Sequence, residues 1–442
     1  VTDALSPDFL ADLRKDFAVH PGYRLAQNAV TRVSVDDVAL DRAIVNAADA
    51  TVSHLIDDWK VTNQEHSGRC WLFAGLNLLR AGVMAELKIK DFEFSQNHTM
   101  FWDKLERANA FLESIEATAD RDVDDRTVAY LLDSVAADGG QWNMFVAVVR
   151  KHGLVPKAFM PETHSSSNTR GMNAILQRVL RQGARALRAA VADGPAAASA
   201  EKRRILAVVH RVLCIHLGTP PDEFLWQWTD KDRVFHRVGT MTPQEFASTY
   251  VRLPIDDYVC LVHDPRPTSP LGRTFTVEHL GNVVEGPPVV YLNVGIDVMR
   301  DIAARTLQAG EPVWFGCDVG KMMSNDHAVW DAALYDYHSV YDTEFALDKA
   351  DRLVFHESAM THAMLFTGVD MVDGRPRRWR VENSWGKDAG RDGYYTMNDS
   401  WFGEYLFEIA ARADSLPADL RAALDAEPIV LPAWDPMGAL AS

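Results

Sequence analysis

The sequence predicts an α+β protein of two lobes. Apolar residues recur at helical spacing through much of the first half. Short β-rich runs separated by Gly, Pro and Asp fill the second half, and the change in composition falls beyond Pro243. Helices first and strands after suit a helical lobe packed against a β-rich one.

The elements follow in order. Pro7 near the start and Leu10, Leu13 and Phe17 at helical spacing predict a helix over 7–17. Residues 61–68 have no period and end in Ser67-Gly68, a loop. From Cys70 onward Leu72, Phe73, Leu76, Leu79, Val83 and Leu87 fall on one face, so a helix begins at Cys70. Further helix is expected over 97–115, 128–137 and, after the break at Gly139-Gly140, 142–152. The Ala-, Arg- and Leu-rich stretch 172–216 reads as a helical insertion, in one piece or as two helices joined near Pro195. Strands are expected at 258–263, 289–292, 313–317, 364–369 and 377–382. A last helix over 415–427 precedes a Pro-rich extended tail. These pieces divide the chain into 1–171, an arm and the helical lobe; 172–250, a mainly helical insertion; 251–427, the β-rich lobe; and 428–442, the tail.

The composition bounds the function. With 442 residues, 47% hydrophobic and 24% charged, a sizeable core is expected and disorder is not. The net charge of −17 disfavours nucleic acid or an anionic membrane as the main partner. No run of about 18 apolar residues stands out, so no transmembrane helix is expected. The first residues lack the basic start and apolar run of a secretion signal; a removed leader stays open for a chain beginning at Val1. Cys70, Cys214, Cys260 and Cys317 form no C-x-x-C pair, so neither a metal site nor a redox motif is expected. No cofactor motif occurs. The acidic run 120–125 lacks the Gly and closing Glu of a calcium loop.

Three segments carry chemistry. The first is Asn63-Gln64-Glu65-His66-Ser67-Gly68-Arg69-Cys70-Trp71. A thiol attacks carbonyls as thiolate, and a helix start lowers its pKa. The same position aims the Cys70 N–H at a developing oxyanion, and Gln64 is placed to supply a second donor. The second is Thr361-His362-Ala363-Met364-Leu365: an imidazole before an apolar strand takes the thiol proton and later protonates a leaving amine. The third is Glu382-Asn383-Ser384-Trp385-Gly386, where the Asn383 amide orients the imidazole and Trp385 covers their hydrogen bond. A buried Cys70, a structural His362 and a plain turn at Asn383 are the bland alternatives for each segment alone; three in this order argue against them.

These segments resemble the active site of papain-like cysteine peptidases. Arg69 before Cys70 marks the branch of bleomycin hydrolase and bacterial aminopeptidase C. Papain carries Asp where this chain has Thr361. The resemblance runs from about residue 60 to the closing Leu431-Pro432-Ala433-Trp434-Asp435-Pro436-Met437-Gly438-Ala439-Leu440-Ala441. It implies a papain-like two-lobe fold, helical left and β-rich right, with helical insertions. It implies Cys70, His362, Asn383 and Gln64 as catalytic residues with Trp385 in support, and Gly139-Gly140 as the wall that hydrogen-bonds substrate backbone. A helix-capping Gly pair is the alternative for the last. Ala137 and Asp138 replace the disulfide cysteine of secreted papains, which with three left-over thiols points to the cytoplasm.

The resemblance further implies an aminopeptidase acting on peptides, a homo-hexamer and a tail lying in its own cleft. There the terminal carboxylate, of Ala441 or of Ser442 depending on trimming, meets the substrate's α-ammonium. The stretch near 172–250 is the expected subunit contact. A non-catalytic scaffold, a DNA-binding protein and an acyltransferase on the same triad are the rivals; the intact triad and the charge weigh against the first two.

Overall fold

The structure, a computed structural model, describes residues 4–56 and 59–441. Its centre is a sheet of twelve strands among the described residues. From one edge the order is Ile429–Leu431, Arg273–Val277, Tyr291–Asn293, Tyr258–Val262, Leu406–Arg412, Val313–Cys317, His362–Val372, Arg375–Glu382, Tyr394–Asn398, Val329–Trp330 and Met323–Ser324. The short strand His54–Leu55 pairs with His362–Val372. Helices Cys70–Leu87, Gln96–Ala117 and Trp142–His152 build the other lobe, and one core cluster joins it to the sheet through Trp71, Trp142 and Trp314. A second cluster, around Phe315, Phe366, Trp379 and Phe402, fills the far side of the sheet.

The helix Cys70–Leu87 is not the one-sided helix its spacing predicts. Every residue from Cys70 to Arg80 is buried, because the helix runs between the lobes, and a helix apolar all round belongs in a core. Its 18 residues, of mean hydropathy 1.3, are long and apolar enough to cross a membrane by length and composition. That corrects the expectation that no such stretch exists; here the helix packs inside the protein.

Other boundaries move for local reasons. The helix expected over 128–137 is Arg126–Asp133, capped by Asp125 and ended before Ala136, whose φ of 57° turns the chain left-handed. The insertion contains Arg170–Ala192 and Pro195–Leu217, joined at Gly194 with φ 106°. It also contains a β-hairpin, Phe224–Thr229 with Phe235–Met241, which the expectation of a mainly helical stretch did not include. Alternate residues Phe224 and Trp226 face the core while Leu225 faces out, the period-2 pattern that five aromatic-rich residues partly hide. The last helix is only Ala418–Ala423. Ser415 does not cap it but donates to the Arg412 carbonyl at 2.6 Å, and Pro428 disfavours helix in the residue before it.

The tail is not extended throughout. Ile429–Leu431 joins the sheet edge, parallel to Arg273–Val277, where proline on either side costs no ladder bond. A 3-10 turn then forms at Pro436–Gly438, with the Met437 N–H donating to Asp435 Oδ1 at 2.9 Å.

Candidate active site

Cys70 opens the buried helix, at the seam between the lobes. The loop before it is tied down at several points. Gln64 N–H donates to the Ser384 carbonyl at 2.8 Å, and Gln64 Oε1 accepts from Ser384 Oγ at 2.6 Å. One N–H of the Gln64 amide donates to the Ser67 carbonyl at 2.5 Å; an amide nitrogen carries a second. Arg69 lies under the loop, its guanidinium bidentate on Glu162 at 3.0 and 2.8 Å and its Nε on Ser67 Oγ at 2.9 Å. The Gly68 N–H donates to Asp138 Oδ2 at 3.2 Å.

His362 is the first residue of the strand His362–Val372 and sits opposite Cys317 on Val313–Cys317. That register sets the next residue, Ala363, against the nucleophile: its N–H donates to Cys70 Sγ at 3.4 Å. His362 Nε2 and Asn383 Oδ1 are 2.9 Å apart, so Nε2 carries the proton and Nδ1 is left to take one. Asn383 Oδ1 also accepts the Ser384 N–H at 2.8 Å. The Trp385 ring lies 5.0 Å from the imidazole, tilted by 37°. Cys70 is fully buried and His362 is 3% exposed. Burial pushes the Cys70 thiol up to about 12, against the pull of the Ala363 and Trp71 N–H groups. It pushes the His362 imidazole down to about 4, against the Asn383 hydrogen bond. Both shifts favour the neutral pair while the cleft is closed.

The tail binds the wall, and the wall packs on Trp71, the residue after Cys70. Gly140 rests on the Trp71 ring so closely that a Cβ would stand 2.4 Å from it, so only glycine fits. The Gly140 N–H donates to the Ala441 carbonyl at 3.0 Å, an antiparallel bridge, and Gln141 Nε2 donates to the Ala439 carbonyl. Ala441 is fully buried. The Gly139 carbonyl is held by Arg107. Thus Gly139, Gly140 and Ala441 come together, with Gly140 against Trp71, the residue after Cys70; Ser442 lies outside the described residues. Among the described residues no three His, Cys, Asp or Glu side chains gather as a metal-binding group.

A model of the Peptidase C1-like family matches residues 4–438. The chain belongs to the Peptidase C1-like family. It is a cysteine peptidase with the papain-like two-lobe fold, helical on one side and β-rich on the other. Aminopeptidase C of Streptococcus thermophilus is 42% identical over 442 residues, covering 99% of each chain. Human bleomycin hydrolase is 42% identical over 452 residues, covering 100% of this chain and 99% of its own. The crystal structure of pepw from Lactobacillus rhamnosis superposes with a TM-score of 0.97 at 42% identity, each chain covered in full.

In this peptidase several supporting residues escaped the sequence reading. Glu382, next to Asn383, is buried and accepts from Trp59 Nε1, Asn77 Nδ2 and Arg80 at 2.5, 2.9 and 2.8 Å. It therefore pins the strand of Asn383 to the helix of Cys70. Asp138 binds Lys104 at 2.6 Å and accepts from Thr169 and Asn173 at 2.5 and 2.8 Å. Although burial pulls the other way, these donors hold its carboxyl well below the usual range. Lys104 also takes the carbonyls of Ala136 and Ala137, both at 2.9 Å, and so shapes the wall. The signal in the sequence was Arg80 inside an otherwise apolar helix, with nothing local to mark Glu382 or Asp138.

Proposed function

We propose that the chain is an aminopeptidase that removes N-terminal residues from peptides through a Cys70 thioester. The observation that carries this reading is the antiparallel bridge between Ala441 and Gly140. The tail takes the backbone hydrogen bond that a longer substrate would need on the wall, so a peptide has room only for its first residue upstream of the scissile bond.

Cys70 passes its proton to His362 Nδ1 and the thiolate attacks the carbonyl carbon. The oxyanion is met by the Cys70 N–H at the helix start and by the free N–H of Gln64. The imidazolium, held by Asn383, protonates the leaving amine as the C–N bond breaks. Water, giving its proton to His362, then cleaves the thioester and frees the amino acid. The terminal carboxylate of the tail pairs with the substrate α-ammonium, so attraction and exclusion act together. Exposed Leu225, Phe235 and Val238 on the hairpin support the insertion as a contact between copies in a homo-hexamer. A cytoplasmic location belongs to the same reading.

The test is mass spectrometry of a decapeptide digest, with the N-terminus free and acetylated. Single residues released in order from the free peptide, and an acetylated peptide left whole, are expected. Internal cleavage of the acetylated peptide at the same rate would refute the aminopeptidase reading.

A further inference from the structure

Asn383 fixes one end of the His362 ring, but something must also fix the backbone that delivers it. Immediately before His362 the chain is irregular from 355 to 361. One buried carboxylate gathers this loop. Asp318, 4% exposed, directly follows the strand that pairs with His362. Its Oδ2 accepts from Ser358 Oγ at 2.7 Å and its Oδ1 from Thr361 Oγ1 at 3.4 Å. The Thr361 N–H donates to the Cys317 carbonyl and the Asp318 N–H to the Tyr405 carbonyl, both at 2.9 Å. Ser358 is itself buried. Lys321, on the same segment, is engaged with Glu357 at 2.7 Å and also adds its charge near Asp318.

Removing a carboxylate from water is costly unless its hydrogen bonds repay the loss. Burial indeed raises the Asp318 carboxyl, while Ser358, the Lys321 charge, Thr361 and the Ala359 N–H pull it back. Its side chain ties Ser358 and Thr361, the residue before His362, while the Thr361 N–H ties the same residue to Cys317 on the strand opposite. An ångström of misplacement at a catalytic base costs far more rate than binding.

We propose that Asp318 is a positioning residue for His362, clamping 358–361 so that the imidazole stands between Cys70 and Asn383. It acts through Thr361 and the Cys317 pairing, and it rests on His362 being the base.

The experiment compares Asp318→Ala, Asp318→Asn, Thr361→Val and His362→Ala on a free-amine aminoacyl substrate, normalised to folded protein. Asp318→Ala is expected to lower kcat about tenfold or more with KM within about twofold, and to slow alkylation of Cys70 in parallel. Asp318→Asn, which keeps the shape, accepts from one hydroxyl through Oδ1 and donates to the other through Nδ2, is expected to recover most of that loss. Thr361→Val is expected to lower kcat about threefold, since it deletes one long hydrogen bond. Should Asp318→Ala fail to fold, Thr361→Val decides: a lower kcat at unchanged KM supports the clamp, an unchanged kcat overturns it. Wild-type kcat in Asp318→Ala, or a loss in KM alone, also overturns it. Turnover retained by His362→Ala would instead remove the base on which the clamp acts.

Discussion

The nucleophile's surroundings and the C-terminal tail meet at Gly140, yet they are held by different physics. Around Cys70 the anchors are buried charges with several partners each. Arg69 is bidentate on Glu162, Lys104 sits on Asp138, and Arg80 meets Glu382 with both side chains at most 2% exposed. The tail is held by three residues at a sheet edge, two backbone contacts at the wall, Arg126 over Trp434 at 4.1 Å, and Arg266 on Asp435 at 2.7 Å. The first set cannot give way one member at a time, because a stranded buried charge is very costly. Apart from Arg266, which is largely buried between Asp264 and Asp435, the second is a series of separate, modest contacts. Under the proposed function, the difference teaches that chemistry lies in the more rigidly anchored part and substrate selection in the more loosely held one.

The largest effect should come from the nucleophile. Cys70→Ala is expected to abolish turnover, and it leaves every charge anchor in place, so the thermal midpoint should move little. A calorimetric scan beside the assay checks both; residual hydrolysis by the purified variant would put the chemistry elsewhere.

Breaking one buried anchor comes next. Glu382→Ala strands Arg80 and should destabilise the fold by about 3–5 kcal/mol, read by urea denaturation. It should lower activity as well, through the strand of Asn383. By contrast Arg126→Ala, which removes an exposed cation over the Trp434 ring, should leave the denaturation midpoint nearly unchanged while raising cleavage of an N-blocked peptide a few-fold. Equal losses of stability in the two variants would erase the comparison.

Much of this was legible beforehand because the signals are local. The order Cys70, His362, Asn383, the glycine pair beside Trp142 and the apolar closing segment each stand in a few adjacent residues. The hairpin at 224–241 was missed because its aromatic run hides the period-2 pattern, and the strand Arg273–Val277 because its partners are set by tertiary pairing. Glu382, Asp138 and Asp318 were missed for a related reason. A carboxylate reads as surface until its donors, here Arg80, Lys104 and Ser358, are brought to it from 34 to 302 residues away.

A pH-dependent measurement sharpens the contrast further. Burial raises the Cys70 thiol to about 12 and lowers the His362 imidazole to about 4. Opening the cleft relieves both shifts in the direction of the thiolate–imidazolium pair. Deleting 438–442 is therefore expected to speed iodoacetamide alkylation of Cys70 at pH 7 about tenfold, with Cys260 and Cys317, both buried, reacting later. Peptide mapping by mass spectrometry gives the order; unchanged alkylation of Cys70 would mean the tail does not cover it.

The most direct test of the division of labour uses the same truncation and two substrates, a free-amine aminoacyl amide and an N-blocked peptide. With 438–442 removed, kcat/KM for the free amine should fall and that for the blocked peptide should rise, by about tenfold each, while Cys70→Ala silences both. A truncated enzyme that kept its preference for free amines would contradict the account.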